Sequence, residues 1–195
     1  MRAYILAFPE KRWENYTVPV AGEPVVTLTE RRLLMSKRIE EVITVVRKDR
    51  LRTYSLHVSN PLPVVARNKM EALLKVLPGE PFFLAEGNTP LIMPFLVNYM
   101  TGLFYENEPE ALIPVWRDGT AETTHAVYEP NALEDAINAA LAEGYRGLSR
   151  ITEFIEYEPL SIEELAKRNP KVTLSFFRVR NSFDVRFAAE TLRKL

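Results

Sequence analysis

The feature that most constrains the fold is an alternation. Short, wholly apolar runs take turns with longer helical patterns along most of the chain. "AYILA" (Ala3–Ala7) and "EVITVVR" (Glu41–Arg47) are short and apolar, as strands covered on both faces should be. Between them, "EPVVTLTERRLLMSK" sets Val26, Leu33 and Leu34 on one helical face, with Pro24 suited to a first turn. "ARNKMEALLKVLPGE" carries Met70, Leu73, Leu74 and Leu77 at i, i+3, i+4 and i+7, and closes at Pro78-Gly79. "NALEDAINAALAEG" reads as a helix capped by Asn131 and ended by Gly144, and Ser161 with Glu164 forms a second capping box. Further strands are predicted at Thr53–Val58 and in "PFFLAEGN", "ALIPVW", "THAVYEP" and "VTLSFFRV", and further helices in "LIMPFLVNYMTG" and "SFDVRFAAETLRKL". Strand–helix alternation predicts a three-layer α/β/α domain over residues 1–195, with a mainly parallel sheet and ligands at the carboxyl ends of its strands.

Composition removes several classes of chemistry. Cysteine is absent, which excludes disulfides, thiolate zinc sites and cysteine nucleophiles. Only two histidines exist, His57 and His125, so a multi-histidine metal site is excluded. The net charge of −1 gives no bulk electrostatic case for nucleic acid or an anionic membrane. No apolar run is long enough to span a bilayer, and the first residues read as a strand, not a signal peptide; a cytoplasmic location is expected. Glutamine is absent while Glu, Lys and Arg are plentiful, which hints at a thermophilic source.

The loop after the first strand is unusual. A loop that cradles a triphosphate needs backbone N–H groups close to phosphate oxygens, and glycine permits that approach. Phe8–Ala21 holds no glycine, while Pro9 and Pro19 lack N–H groups. Lys11 and Arg12 are the candidate phosphate contacts in this loop, against the simpler reading of a solvated basic pair. Trp13 and Tyr16 are candidates to stack on a base or to pack beneath the loop.

Three stretches together carry a family resemblance. "AEGNTPLIMPFLVNYM" falls where a nucleotidyltransferase has its Asp-x-Pro strand end. "IPVWRDGTAETTHAVYEP", above all "ETTHAVY" (Glu122–Tyr128), resembles a Glu-Pro-Leu-His-Ala-x-Tyr segment. "FFRVRNSFDVRFAAETL" resembles Phe-x-Asn-Ile-Asn-Thr-x-x-Asp-Leu before a final helix. With "VPVAGEPVV", their order and spacing resemble the molybdenum cofactor guanylyltransferases over nearly the whole chain; archaeal cobinamide-phosphate guanylyltransferases are a second, weaker match. The resemblance implies a Rossmann-like nucleotidyltransferase fold, binding of GTP and Mg²⁺, and transfer of GMP onto a phosphorylated pterin cofactor by in-line attack on the α-phosphate.

The departures fall on the residues that carry this chemistry. Phe8 and Pro9 replace the family's glycine pair, the lysine position falls near Asn15, and Arg12 matches the family's arginine. The metal-binding aspartate falls at Asn88, with Glu86 close enough to compensate. Arg180 falls on an asparagine position, with Asn181 one step off register, and both become nucleotide-side candidates. His125 falls on the acceptor side, against the reading of a structural histidine at a strand end. "EFIEYEP" (Glu153–Pro159) reads as an exposed strand face, and "PLIMPFLVNYMTGLF" as a buried helix or a homodimer face. Two functions follow: guanylyl transfer with altered chemistry, or a non-catalytic nucleotide- or partner-binding protein on the same fold.

Overall fold

A computed structural model describes residues 1–11 and 14–195. Its elements in chain order are β1 (Arg2–Ala7), β2 (Pro19–Val20), β3 (Glu23–Pro24), α1 (Val25–Leu34), β4 (Glu41–Arg47), α2 (Leu51–Tyr54), β5 (Pro61–Val64), α3 (Lys69–Leu74), β6 (Phe82–Glu86), α4 (Pro94–Asn107), β7 (Ala111–Val115), β8 (His125–Tyr128), α5 (Pro130–Ala142), β9 (Glu158–Ser161), α6 (Ile162–Arg168) and α7 (Ser182–Leu192). The main sheet has seven strands in the order β5-β4-β1-β6-β8-β7-β9. β5, β4, β1 and β6 run parallel to one another, β8 is antiparallel to both β6 and β7, and β9 is again parallel to β7.

The apolar runs are apolar because both faces of the sheet are covered. Along β1, Ala3, Ile5 and Ala7 enter one core with Val26 and Leu33 of α1 and Leu96, Val97 and Met100 of α4. The intervening Tyr4 and Leu6 enter the other, with Met70 and Leu73 of α3 and Leu133, Ala136 and Ile137 of α5. The period of two therefore sorts one strand into two cores, which is the three-layer arrangement predicted. A smaller cluster of Val20, Val25, Leu28, Val179 and Ala188 seats α7 against the start of α1.

Two predicted strands are different. Thr53–Val58 is a helical turn and its exit; the edge strand is "PLPV" at Pro61–Val64, paired with β4. Leu51 and Tyr54 stand three residues apart and pack together on one core, a helical and not a strand spacing. Pro61 and Pro63 are tolerated because an edge strand leaves alternate N–H positions facing away from the sheet. "VTLSFFRV" is a 3₁₀ turn at Pro170–Phe176 followed by extended chain, started by Pro170 and by the Asn169 side chain accepting from the Lys171 N–H. Of "EFIEYEP", only Glu158 and Pro159 lie in a strand.

Four helices, α3, α5, α6 and α7, start at a side-chain cap. The Ser161 hydroxyl accepts from the Glu164 N–H at 3.3 Å, as predicted. α5 starts one residue before Asn131: Glu129 is the cap, with Pro130 in the first turn. "LIMPFLVNYM" is a buried helix, with Leu96, Val97 and Met100 fully enclosed, while Phe95 and Tyr99 reach solvent.

Candidate functional site

The chain passes from β1 to β4 and β5 on one side, then returns to β6 on the other. This reversal opens a crevice outside the carboxyl ends of β1 and β6. Because β8 is antiparallel, its amino end points the same way and brings Glu122–Thr124 to that crevice. The resulting cleft, about 820 Å³, is lined by Lys11, Glu14, Lys69, Glu86, Glu122 and Arg178, among others.

Glu86, the last residue of β6, is at its centre. One carboxylate oxygen accepts from the Lys69 ammonium at 2.7 Å and the Tyr16 hydroxyl at 3.1 Å. The other accepts from Arg178 Nε at 3.1 Å, with the Thr124 hydroxyl at 3.5 Å. Lys69 also donates to Glu14 at 3.0 Å. Arg178 Nη2 donates to Glu122 at 2.6 Å and to Thr124 at 3.1 Å, and Glu122 accepts from the Trp116 indole at 2.7 Å.

Burial alone would push the Glu86 carboxyl up, but Lys69 and Arg178 outweigh it and hold it below the usual carboxylate value. Burial likewise works against the charge on Lys69 and on Arg178. Their carboxylates prevail, and both cations titrate above their usual values. Tyr16 is pushed well up, by burial and then by Glu86 and Glu14, so it is a neutral O–H donor. Glu86, Lys69 and Arg178 are therefore charged at neutral pH.

Glu14 organises the loop after β1. Its Oε2 accepts from the Glu10 N–H at 2.7 Å and lies 3.4 Å from the Lys11 nitrogen. The backbone amides that a phosphate loop would offer outward are thus turned onto a carboxylate of the chain itself. Phe8 is buried among the core residues beneath. Tyr16 lies over Gly87, where an added Cβ would sit 3.0 Å from its ring, tighter than side chains ordinarily pack, so glycine eases this close approach.

Of the sequence-predicted residues, Lys11, Glu86 and Arg180 line this cleft together. Arg12 lies outside the described residues, as does Trp13. Arg180 is exposed, and its N–H donates to Asp184 at 2.8 Å. Asn181 is the cap of α7, its oxygen accepting from the Phe183 and Asp184 N–H groups at 2.8 and 3.1 Å. Asn88 is 1% exposed; its amide donates to the Val179 carbonyl at 3.2 Å, and its Oδ1 has no hydrogen-bond partner among the described residues. His125 is enclosed between Phe83 and Phe176, with ring centroids at 5.2 and 4.8 Å. Neither ring nitrogen has a partner among the described residues. Burial, with Arg178 adding repulsion, pushes its pKa down to about 3, so the ring is neutral.

Sequence reasoning missed Glu14, Lys69, Glu122 and Arg178. A signal existed for two of them. Lys69 stands four residues before Leu73 and shares its inward face; Arg178 interrupts the apolar run Phe176–Val179. A cation on an apolar face needs a buried anion. Glu14 carries no such mark, because it lies in a loop; Glu122 also lies in a loop and is marked only as the first residue of the family-like stretch Glu122–Tyr128.

Fold and cleft together define an α/β protein with a crevice at the carboxyl ends of its central strands. No family model matches the chain. The structural likeness is broad: molybdopterin-guanine dinucleotide biosynthesis protein A from Archaeoglobus fulgidus superposes at TM-score 0.81 and 18% identity over 100% of both chains. A 4-diphosphocytidyl-2C-methyl-D-erythritol synthase from Anaerococcus prevotii follows at TM-score 0.70 and 17% identity, over 98% of this chain and 95% of that one. In sequence, the chain is a relative of proteins named probable molybdenum cofactor guanylyltransferase. That of Thermococcus gammatolerans is 27% identical over 171 residues, 85% of each chain. That of Thermococcus sibiricus is 29% identical over 126 residues, 62% of this chain and 63% of the relative.

Proposed function

We propose that this chain serves molybdenum cofactor biosynthesis as a binding protein on the nucleotidyltransferase scaffold, taking a guanine nucleotide or a phosphorylated pterin in the strand-end cleft. The observation that carries this reading is the state of Glu86, whose two oxygens are engaged by Lys69 and Arg178 at 2.7 and 3.1 Å. A magnesium site needs a carboxylate or two open to the ion. Here the carboxylate already faces two cations, and Asn88 brings no charge and is turned toward Val179. With Lys69 and Arg178 in place, the residues at this strand end do not fit Mg²⁺.

A second reading, transfer of GMP from GTP onto molybdopterin, is favoured by the relatives in Thermococcus that carry the guanylyltransferase name. It has some physical support. Lys69 and Arg178 line the cleft, and such cations can neutralise phosphate charge.

Calorimetric titration with GTP, with and without Mg²⁺ and with ATP as control, separates the two, followed by a pyrophosphate-release assay with molybdopterin present. The binding reading expects heat with GTP or the pterin and no pyrophosphate. Absence of heat with either ligand at millimolar concentration sinks it. Pyrophosphate release that depends on molybdopterin establishes the second reading in its place.

A further inference from the structure

We infer that the Lys69 ammonium fills a two-carboxylate cation seat between Glu14 and Glu86, standing in for a divalent metal, so that phosphate-bearing ligands bind in this cleft without one. The part about ligands rests on the binding reading above; the seat does not.

The seat is built from three sides. Lys69 Nζ is 3.0 Å from Glu14 and 2.7 Å from Glu86, and all three side chains are at most a tenth exposed. The Tyr16 hydroxyl, at 3.1 Å from Glu86 and 3.3 Å from Glu14, closes the gap between the two carboxylates. Two carboxylates facing one position are hard oxygen donors, the kind that hold Mg²⁺ or Mn²⁺. The chain puts its own cation there. Among the described residues no cluster of three acidic or histidine side chains could hold a metal, here or elsewhere.

An ammonium differs from a metal ion in what it offers a ligand. It cannot accept a phosphate oxygen into a coordination shell, but it can donate hydrogen bonds. Lys69 has three N–H donors and spends two on Glu14 and Glu86, leaving one. Arg178 spends Nε and Nη2 on Glu86, Glu122 and Thr124, and its Nη1 has no hydrogen-bond partner among the described residues. Both side chains line the cleft. A phosphate entering there meets one ammonium and one guanidinium donor that are already fixed in place, and needs no bridging ion.

The test uses the whole chain in metal-stripped buffer, as wild type, Lys69→Ala and Lys69→Arg. Thermal melts are recorded with EDTA, with Mg²⁺ and with Mn²⁺. The wild type and Lys69→Arg are expected to melt at the same temperature in all three. Lys69→Ala leaves the two carboxylates facing an empty position; it is expected to melt early in EDTA and to recover with either metal, because an ion that binds only the folded state stabilises it. Wild type stabilised by Mg²⁺, or Lys69→Ala indifferent to both metals, overturns the seat.

Titration of GTP then tests the ligand half. Wild-type affinity should be the same in EDTA and in Mg²⁺. Lys69→Ala in EDTA should lose about tenfold or more, the worth of a charge-assisted hydrogen bond. GTP binding that requires Mg²⁺ overturns metal-independence while leaving the binding reading intact. Absence of binding by any nucleotide or pterin overturns the ligand half together with the binding reading, and the melts still decide the seat.

Discussion

Glu86 and His125 are near neighbours with opposite fates. Ala85 pairs with His125 across the β6–β8 ladder, and Glu86 is the next residue along. Both side chains are buried. Glu86 is ringed by Lys69, Arg178, Tyr16 and Thr124 and keeps its charge. His125 is ringed by Phe83 and Phe176 and loses its charge. Depth alone does not set protonation here. What decides is whether the fold supplies counter-charge within hydrogen-bonding distance. By that measure the charged end of the sheet is at Glu86, and His125 belongs to the apolar wall behind it.

The comparison breaks most visibly if the counter-charge is removed. Arg178→Met leaves Glu86 with one cation fewer and Glu122 with none of the guanidinium contact it has now. The expected loss is about 3–5 kcal/mol in a urea unfolding curve, the usual result of stranding a buried charge. A loss below about 1 kcal/mol would mean that the network is solvated, and the contrast with His125 would lapse.

The next effect is in the pH dependence. An unfolded histidine takes up its proton near pH 6.5, whereas folded His125 resists until about pH 3. Below 6.5 the unfolded state binds more protons, so stability falls as pH falls, by about 2 kcal/mol down to about pH 5. Glu86 contributes in a separate window. Its folded value is depressed, so its share is complete above the usual carboxylate value and is lost only at more acid pH. His125→Phe should flatten the upper part of the pH profile and leave the acid limb. A slope above pH 5 that survives this change assigns it to another group.

The smallest effect concerns Asn181. Its oxygen accepts from two N–H groups at the start of α7. Asn181→Ala should cost about 1 kcal/mol of stability and leave nucleotide affinity unchanged. An affinity loss without a stability loss would move Asn181 from the helix cap to the ligand.

Most of the fold was legible because its main signal is local. "AYILA", "EVITVVR" and "FFLAE" are apolar for a reason that any window of the sequence shows, and the amphipathic stripe Met70–Leu77 is equally local. The two misread strands were misread for the same reason. "TYSLHV" and "VTLSFFRV" have strand-like residues, but the packing of Tyr54 and Phe176 decided their shape. Of the cleft's lining, Lys11, Arg180 and Glu86 were legible, Glu86 because a carboxylate there ends an apolar run. Its partners are 17 to 92 residues away in the chain, and no spacing rule joins them.

The separation of those partners also sets an order of assembly. Lys69 and Glu86 belong to elements within the first half of the chain, whereas Arg178 comes from a segment outside the sheet, near the end. As the chain leaves the ribosome, β1, β4, β5 and β6 can pair before that segment exists. Through this interval Glu86 has one cation to answer it, and Glu122, once made, waits for its own. The cleft therefore becomes electrically complete only when the last turn of chain before α7 docks at Asn88. Its full set of charges is a timestamp on the finished fold.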